Sequence, residues 1–261
     1  MEWVPAFYDL QMRWTGDGDR PIHDHDRLLA EAITDARPEH AGVQRVLELG
    51  AGDGRTAVAT AELGHRVTAV ELVASRVARA QRLADKHRES IRERQGSLTI
   101  IEGDFYSLAL EGTFDVVAYW DGFGVGEDAD QRRLLRRIAG WLAPDGVALV
   151  DIYTPWYWAA TAGLEMAFGD ARRRYGFDAD GERMLDTWWP HDSEEQAVTQ
   201  SLRCYGPADL RLLLEGTGLA LIGLEPGGAW DAEAQEWHDQ VPLAQAMGYR
   251  ARLVPVSRTN P

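Results

Sequence analysis

The sequence contains one cysteine, Cys204, and no long uncharged run of apolar residues. A single cysteine excludes an internal disulfide and a metal site built from cysteine pairs, a usage that fits a reducing cytoplasm. A membrane-spanning helix needs roughly 18 uncharged residues in a row, and an export signal joins a basic region to an apolar one. Because neither pattern is present, we expect a cytoplasmic protein without a membrane segment.

Positive charge is also scarce. The chain has 27 lysines and arginines against 42 aspartates and glutamates, which gives a formal net charge of −15. Such a surface repels a phosphate backbone or an anionic lipid layer. We therefore expect a small-molecule partner, with no nucleic acid and no membrane, and we leave a homodimer open. With 45% hydrophobic residues, the 261-residue chain can bury a full core as a single domain, 1–261.

Short apolar strands alternate with amphipathic helices along most of the chain. Predicted strands cover 45–50, 66–72, 97–105, 114–120, 146–153, 219–225 and 249–257. Predicted helices cover 22–36, 55–63, 73–95, 127–142 and 206–219. This alternation predicts an α/β fold, a doubly wound, mostly parallel seven-stranded sheet of the Rossmann-like kind with helices on both faces.

Two regions depart from that rhythm. Residues 1–42 precede the first strand and are predicted to form an N-terminal helical cap. Residues 154–205 hold four tryptophans and a basic run at 172–175, and we interpret them as a small lid inserted within the domain. Residues 226–248 are predicted to form a loop.

The stretch "VLELGAGDGRTA" (46–57) places glycines at 50, 52 and 54 between a strand and a helix. A glycine-rich turn at this point binds a ligand at the carboxyl edge of the sheet. A dinucleotide pyrophosphate uses the spacing G-x-G-x-x-G, whereas this loop is G-x-G-x-G and carries the acids Glu48 and Asp53. Two carboxylates repel a pyrophosphate and suit a ligand with positive charge, such as a sulfonium or an amino group.

"VLELGAGDG" resembles the first motif of class I S-adenosylmethionine-dependent methyltransferases, and the later features over residues 43–231 resemble a bacterial small-molecule branch of that family. The resemblance implies that the last strand runs antiparallel beside the sixth. It also implies a cofactor, S-adenosyl-L-methionine, and a set of residues that bind it. These are Glu48, Gly50, Ala51, Gly52 and Asp53 for the methionyl part, Glu71 for the ribose hydroxyls, Leu72, Asp104 and Phe105 for the adenine, and Trp120 beside the methyl group.

Acceptor residues follow less directly from the pattern. Asp121 ends the fourth strand, where the family places donor and acceptor, and it is our first candidate for a general base, with a structural turn as the alternative. Tyr8 and His23 are further catalytic candidates, and His25 and His191 are alternative bases. His23 and His25 point about 200° apart on a helix, so we expect no metal. The lid residues predicted to contact the substrate are Trp156, Trp188, Arg203 and Tyr205.

Together these features predict methyl transfer from S-adenosylmethionine to an oxygen or nitrogen of a small molecule, such as a secondary metabolite. Two alternatives stay open at this point. A protein of the same fold could bind the cofactor and catalyse a rearrangement without methyl transfer, or the chain could be a nicotinamide-dependent oxidoreductase. Fold alone does not choose among them.

Overall fold

The computed structural model describes residues 3–15, 21–40, 42–231 and 234–256. Its helices are α1 (Trp3–Thr15), α2 (Asp24–Thr34), α3 (Arg55–Glu62), α4 (Ala74–Lys86), α5 (Arg88–Glu93), α6 (Asp128–Trp141), α7 (Pro155–Ala160) and α8 (Pro207–Leu214). Its strands are β1 (Arg45–Leu49), β2 (Arg66–Glu71), β3 (Ser97–Glu102), β4 (Phe114–Tyr119), β5 (Leu142–Tyr153), β6 (Glu165–Phe168), β7 (Ala171–Asp178), β8 (Arg183–Pro190), β9 (Val198–Arg203), β10 (Leu219–Pro226), β11 (Ala229–Asp231), β12 (Glu236–His238) and β13 (Gly248–Pro255). Within these residues, no helix is long and apolar enough to cross a membrane.

The central sheet has seven strands in the order β10-β13-β5-β4-β1-β2-β3. Strands β1 to β5 pair in parallel, whereas β13 runs antiparallel to both β5 and β10. This confirms the predicted Rossmann-like sheet and its antiparallel last strand. The chain leaves β1 toward β2 on one side and later returns to β4 on the other, so the strand order reverses between β1 and β4. Ligands of such sheets bind at the carboxyl ends of the strands beside this reversal.

Both faces of the sheet are covered, which explains why its central strands are continuous apolar runs. Alternate residues of β1 enter different cores: Leu47 and Leu49 pack in a cluster with α6 and α8, and Val46 packs in a cluster with α2 and α3. Burial on two faces fixes the central strands firmly. The strand ends, and the loops that follow them, are therefore held at one edge of a rigid layer.

The inserted lid is a second sheet, antiparallel, with the order β6-β7-β8-β9. Its register places Arg173 opposite Trp188 and Asp186 opposite Gln200. In β8, residues 184, 186 and 188 are buried in alternation, so one face of this sheet turns inward. Helix α1 packs against that face through Val4 and Phe7.

Several boundaries differ from the sequence prediction. The helix predicted over 73–95 is divided at His87, whose Nδ1 lies 2.7 Å from Glu62 Oε1 on α3. Strand β5 begins at Leu142, where a helix end was predicted, because Leu142 already pairs with Phe114 ahead of a register shift. The segment 226–248, predicted as a loop, contains the β11-β12 hairpin, because Ala229–Asp231 pairs antiparallel with Glu236–His238.

Candidate active site

Two cavities open at the carboxyl edge of the central sheet. The first, here called the lid cavity, has a volume of about 240 Å³ and lies between the strand ends, α1 and the inner face of the lid. The second, the loop cavity, has a volume of about 660 Å³ and lies between the glycine-rich loop, α2 and the segment after β10. The cavities share part of their lining, formed by Gly50, Arg76, Trp120, Asp121 and Tyr153. One extended ligand can therefore contact both.

The glycine-rich loop needs its glycines for conformation and for space. Gly50 and Gly52 have φ values of +62° and +57°, a region that side chains with a Cβ rarely adopt. A Cβ on Gly50 would also lie 3.2 Å from the Tyr119 ring. The loop therefore presents bare backbone to both cavities, and a ligand can approach it closely.

Glu48 lies near the end of β1 and is almost fully buried. Its Oε2 atom has no hydrogen-bond partner among the described residues, and burial, followed by the charges of Asp26 and Glu71, raises its pKa to about 8. Asp53 is ion-paired through Oδ2, which lies 3.7 Å from Arg79 Nη1, but its Oδ1 atom is buried and has no hydrogen-bond partner within the described chain. Unpartnered buried acceptors are rare and call for a donor. At neutral pH this pKa leaves the Glu48 carboxyl group largely protonated, and a cationic group bound beside it would favour the ionised form. The two side chains therefore fit a ligand with a cationic or hydrogen-bond-donating group.

Glu71 ends β2 and joins the glycine loop to the start of α4. Its Oε2 accepts a hydrogen bond from the Gly52 N–H at 2.8 Å, and its Oε1 accepts one from the Val73 N–H at 2.8 Å. These bonds leave further lone pairs on both oxygens, and the residue lines the lid cavity. A fixed carboxylate at this position can receive a pair of hydroxyl groups.

An aromatic and acidic turn follows β3. The Asp104 Oδ1 atom accepts a hydrogen bond from the Tyr106 N–H at 2.8 Å, which fixes the turn. The Phe105 ring lies 5.5 Å from the Tyr119 ring, and together with Leu72 it lines the lid cavity. This wall can hold a flat heterocycle.

Asp121 follows β4 and lines both cavities. Its φ of +52° is unusual for a residue other than glycine, although aspartate tolerates this conformation better than most. Its side chain is exposed to the solvent that fills these cavities. Desolvation by the surrounding protein, followed by the charge of Asp151, raises the pKa of Asp121 to about 6. At neutral pH, Asp121 is a carboxylate able to accept a proton.

The lid contributes an ion pair to the cavity that it covers. The guanidinium group of Arg173 binds both carboxylate oxygens of Asp186 at 2.6 and 2.8 Å, and it lies between the rings of Tyr175 and Trp188. Both members of the pair line the lid cavity. They face it because they occupy the inward register of β7 and β8.

Helix α1 closes the cavity through Tyr8. The Gln200 side-chain amide of β9 donates a hydrogen bond to the Tyr8 hydroxyl at 3.0 Å, and the Arg76 guanidinium lies 4.4 Å from the centre of the Tyr8 ring. Desolvation raises the pKa of Tyr8 to about 12, so its hydroxyl group stays protonated at neutral pH. Tyr8 can donate a hydrogen bond into the cavity but is a poor base.

All ten residues predicted to bind the cofactor line one of the two cavities. Glu71, Leu72, Asp104 and Phe105 line the lid cavity. Glu48, Ala51, Gly52 and Asp53 line the loop cavity, and Gly50 and Trp120 line both. Of the catalytic candidates, Asp121 and Tyr8 are at the site. His23 is exposed at the start of α2, where its backbone N–H donates to Asp26, and it lines neither cavity in the described structure.

The structure does not bring the four predicted lid contacts to either cavity, as far as the described residues show. Arg203 lies on the outward register of β9 and pairs with Glu182 at 2.8 Å. Tyr205 is buried in the core and donates to Asp128 at 2.7 Å. The Trp156 indole donates to the Leu243 carbonyl, and Trp188 packs against Phe7 at the end of β8. Each of these side chains has a structural partner elsewhere.

The cavity residues that the sequence analysis missed include Arg76, Arg173, Asp186 and Gln200. One signal was available for Asp186, because an acid stands in the same alternation as Met184 and Trp188 in β8. Such a polar residue on a buried face needs a partner. Nothing in the sequence identifies that partner as Arg173, because the register across the hairpin decides it.

Comparison with known proteins gives one family. A family model described as a methyltransferase domain matches residues 22–224. A relative, the cypemycin N-terminal methyltransferase of Streptomyces sp., is 37% identical over 197 residues, which cover 69% of this chain and 74% of the relative.

Solved structures share the fold. The CcbJ methyltransferase of Streptomyces caelestis superposes with a TM-score of 0.68 at 22% identity and covers 97% of this chain and 96% of its own. CalS10 of Micromonospora echinaspora, an amino pentose methyltransferase with S-adenosylmethionine bound, superposes with a TM-score of 0.56 at 20% identity, covering 95% of this chain and 96% of its own.

Proposed function

Because this chain belongs to the class I S-adenosylmethionine-dependent methyltransferases, we propose that it methylates a nitrogen or oxygen of a small-molecule acceptor held in the lid cavity, and that an amine is the favoured acceptor. Its cofactor is S-adenosylmethionine. Of the functions that the sequence left open, methyl transfer is the one that the family comparison confirms. The alternative hypothesis of a nicotinamide-dependent oxidoreductase is wrong.

The residues at the carboxyl edge fit this cofactor. Its adenosine carries two ribose hydroxyls and a flat base, which match the fixed Glu71 carboxylate and the wall formed by Phe105. Its amino acid part carries an ammonium group, which matches the unpartnered oxygens of Glu48 and Asp53. We infer that the adenosine lies at the side of the lid cavity formed by Glu71 and Phe105, that the acceptor enters at the side formed by Tyr8 and Asp121, and that the methionyl part extends over Gly50 toward the loop cavity. When bound, the cofactor supplies an electrophilic methyl group.

The proposal of an acceptor that loses a proton rests on Asp121. It lies where both cavities meet, whereas Asp186, the other carboxylate beneath the lid sheet, is already bound by Arg173. The preference for nitrogen rests on the name of the cypemycin relative. An N–H or O–H group facing Asp121 donates a hydrogen bond to it and is thereby oriented toward the cofactor side of the cavity. The carboxylate takes the proton that the acceptor loses, so that no free positive charge builds up beneath the lid.

The other residues around this point position the acceptor and exclude water. The protonated Tyr8 hydroxyl donates a hydrogen bond, and the inner face of the lid removes bulk solvent. Desolvation and orientation contribute more to methyl transfer than proton transfer does, because the methyl group is already activated. The related cypemycin enzyme is named as an N-terminal methyltransferase, and this name supports a nitrogen acceptor. The net charge of −15 supports a small acceptor over a nucleic acid.

The test is an acceptor screen with the purified protein and S-adenosylmethionine labelled in its methyl group. Matched pairs of primary amines and alcohols on the same carbon skeletons are incubated, together with short peptides that have a free N-terminus and with samples of DNA and RNA. We expect S-adenosylhomocysteine to form together with a labelled product, and amines to react faster than their matched alcohols. Faster reaction of every alcohol would contradict the amine preference, and label transfer only to nucleic acid would contradict the small acceptor.

A further inference from the structure

Acidic side chains outnumber basic ones around the two cavities. The carboxylates that line them include those of Glu48, Asp53, Glu71, Asp104, Asp121 and Asp151. The arginines that line them in the described residues are Arg55, Arg76, Arg173 and Arg250. A ligand with a negative group can bind here only where one of these arginines is available to receive it.

Three of the four arginines already have a carboxylate partner. Arg173 forms two hydrogen bonds to Asp186, and Arg250 forms two to Asp151 at 2.9 and 3.3 Å. The Arg55 Nε atom lies 3.6 Å from Asp26 Oδ1.

Arg76 differs from these three. It has no ion pair with any described residue, and its buried Nε atom has no hydrogen-bond partner there. Its guanidinium stacks on the Tyr8 ring, at 4.4 Å from the ring centre. A buried donor without an acceptor is costly, so its presence in the wall of a ligand site indicates a ligand acceptor.

The place of Arg76 indicates which acceptor that is. Its Nη1 atom lies 3.2 Å from the position that a Cβ on Gly52 would take, so a group passing over the bare glycine meets the guanidinium. Arg76 also lines both cavities. It therefore stands next to the loop that would carry the methionyl part of the cofactor.

S-adenosylmethionine has one negative group, the carboxylate of its methionyl part. Beside the glycine loop, Asp53 and the ionised form of Glu48 would repel this carboxylate and attract the neighbouring ammonium, whose positive charge favours that ionised form. We propose that Arg76 binds the cofactor carboxylate, so that the two charges of the amino acid part are received by opposite charges on either side of Gly52. The proposal rests on the placement of the cofactor across both cavities given under the proposed function.

The test compares two ligands that differ in this one group. S-adenosylhomocysteine keeps the carboxylate, and its decarboxylated analogue, 5′-deoxy-5′-(3-aminopropylthio)adenosine, keeps the ammonium and loses the carboxylate. Both are titrated calorimetrically into the wild-type protein and into Arg76→Gln. A charge-assisted bidentate contact corresponds to about 30-fold in affinity. We expect the wild type to prefer S-adenosylhomocysteine by about that factor and Arg76→Gln to lose the preference while binding the analogue as the wild type does.

Two further variants separate a carboxylate contact from a general effect on the site. Arg55→Gln removes a guanidinium from the same cavity that is already paired with Asp26, and we expect it to keep the preference between the two ligands. Arg76→Lys retains the charge without the planar fork, and we expect it to recover part of the preference.

The outcomes are distinct. Equal loss of affinity for both ligands in Arg76→Gln would show a structural role and overturn the proposal, as would an unchanged preference. A wild type that binds both ligands equally would overturn it without any variant. In each of these three cases, tight binding of S-adenosylhomocysteine by the wild type would still support the cofactor and the proposed methyl transfer. Failure of the proposal for Arg76 alone can therefore be recognised.

Discussion

The floor and the lid of the site are built in different ways. The floor consists of loops that follow β1, β2, β3 and β4. It holds buried polar atoms that have no hydrogen-bond partner among the described residues, such as Glu48 Oε2 and Trp120 Nε1. The part of the lid that faces the same cavity is an antiparallel sheet whose cavity charges, Arg173 and Asp186, bind each other. Polar atoms without a partner can bind the fixed charges of a ligand. An ion pair whose charges already neutralise each other is better placed in a wall that excludes water.

This difference indicates that the floor and the lid have different functions. The floor would bind the cofactor through its charges and hydroxyls, and the lid with α1 would shape the space for the acceptor. Asp121 stands at the boundary, because it follows a floor strand and faces the lid. Substitutions on the two sides should therefore change different measured quantities.

Asp121→Asn should have the largest effect. The amide cannot take a proton from the acceptor, so we expect kcat to fall by about 100-fold or more. Asparagine tolerates the positive φ at this position, which should preserve the fold. The rate of S-adenosylhomocysteine formation is measured with the best amine from the screen. Asp192→Asn, on an exposed lid turn, is the control and should keep the wild-type rate, and a fully active Asp121→Asn protein would remove Asp121 from proton transfer.

Glu71→Ala should weaken cofactor binding by the floor and leave the lid unchanged. It removes the carboxylate expected to receive the ribose hydroxyls, and we expect the affinity for S-adenosylhomocysteine to fall by about 3 kcal/mol, roughly 100-fold. Calorimetric titration gives the value. Glu102 is the neighbour of Glu71 in the β2-β3 register, is exposed, and provides the matched control. Unchanged binding by Glu71→Ala would exclude the ribose role.

The sequence analysis located residues at the cavities according to the same division. Every predicted cofactor residue stands at or just after the end of one of the parallel strands β1 to β4, and parallel strands place their carboxyl ends at one edge whatever the details of packing. No comparable rule predicts which side chains of the lid face the cavity. Arg203 and Gln200 are three residues apart on one strand, yet Gln200 faces the cavity and Arg203 faces away, because side chains alternate along a strand.

Other details depended on contacts between distant segments. Trp188 has the inward register but lies too far along β8, where Phe7 of α1 covers it. Arg76 was not foreseen, because its role depends on Gly52 and Tyr8, which lie on two other segments. His23 was chosen for its chemistry, whereas the position of α2 leaves it at the surface.

Register also predicts the effect of two adjacent lid substitutions. Arg173→Met leaves the buried Asp186 without its partner, and we expect the free energy of unfolding to fall by about 2 to 3 kcal/mol. Arg174→Met, on the outward register, removes exposed contacts to Glu165 and Glu194 and should cost less than about 1 kcal/mol. Urea unfolding of both variants measures the difference. Equal losses would contradict the assigned register of β7.

The smallest effect concerns pH. Desolvation raises the pKa of Asp121 to about 6, and the active form is the carboxylate, so protonation below this pH should lower kcat/KM about tenfold for each pH unit. Titration of the amine itself adds a second dependence that wild type and Asp121→Asn share. We therefore expect the fall in kcat/KM below about pH 6 to be present in the wild type and absent from the variant. If the fall in kcat/KM persists in Asp121→Asn, it reports the titration of another group and contradicts the assignment to Asp121.

The division between floor and lid is tested most directly by calorimetric titration of S-adenosylhomocysteine into Asp121→Asn and Glu71→Ala side by side with the wild type. We expect Asp121→Asn to bind within about threefold of the wild type, because cofactor binding belongs to the floor, and Glu71→Ala to bind roughly 100-fold more weakly. Equal loss of binding in both variants would contradict the division, because the residue assigned to the acceptor would then be holding the cofactor.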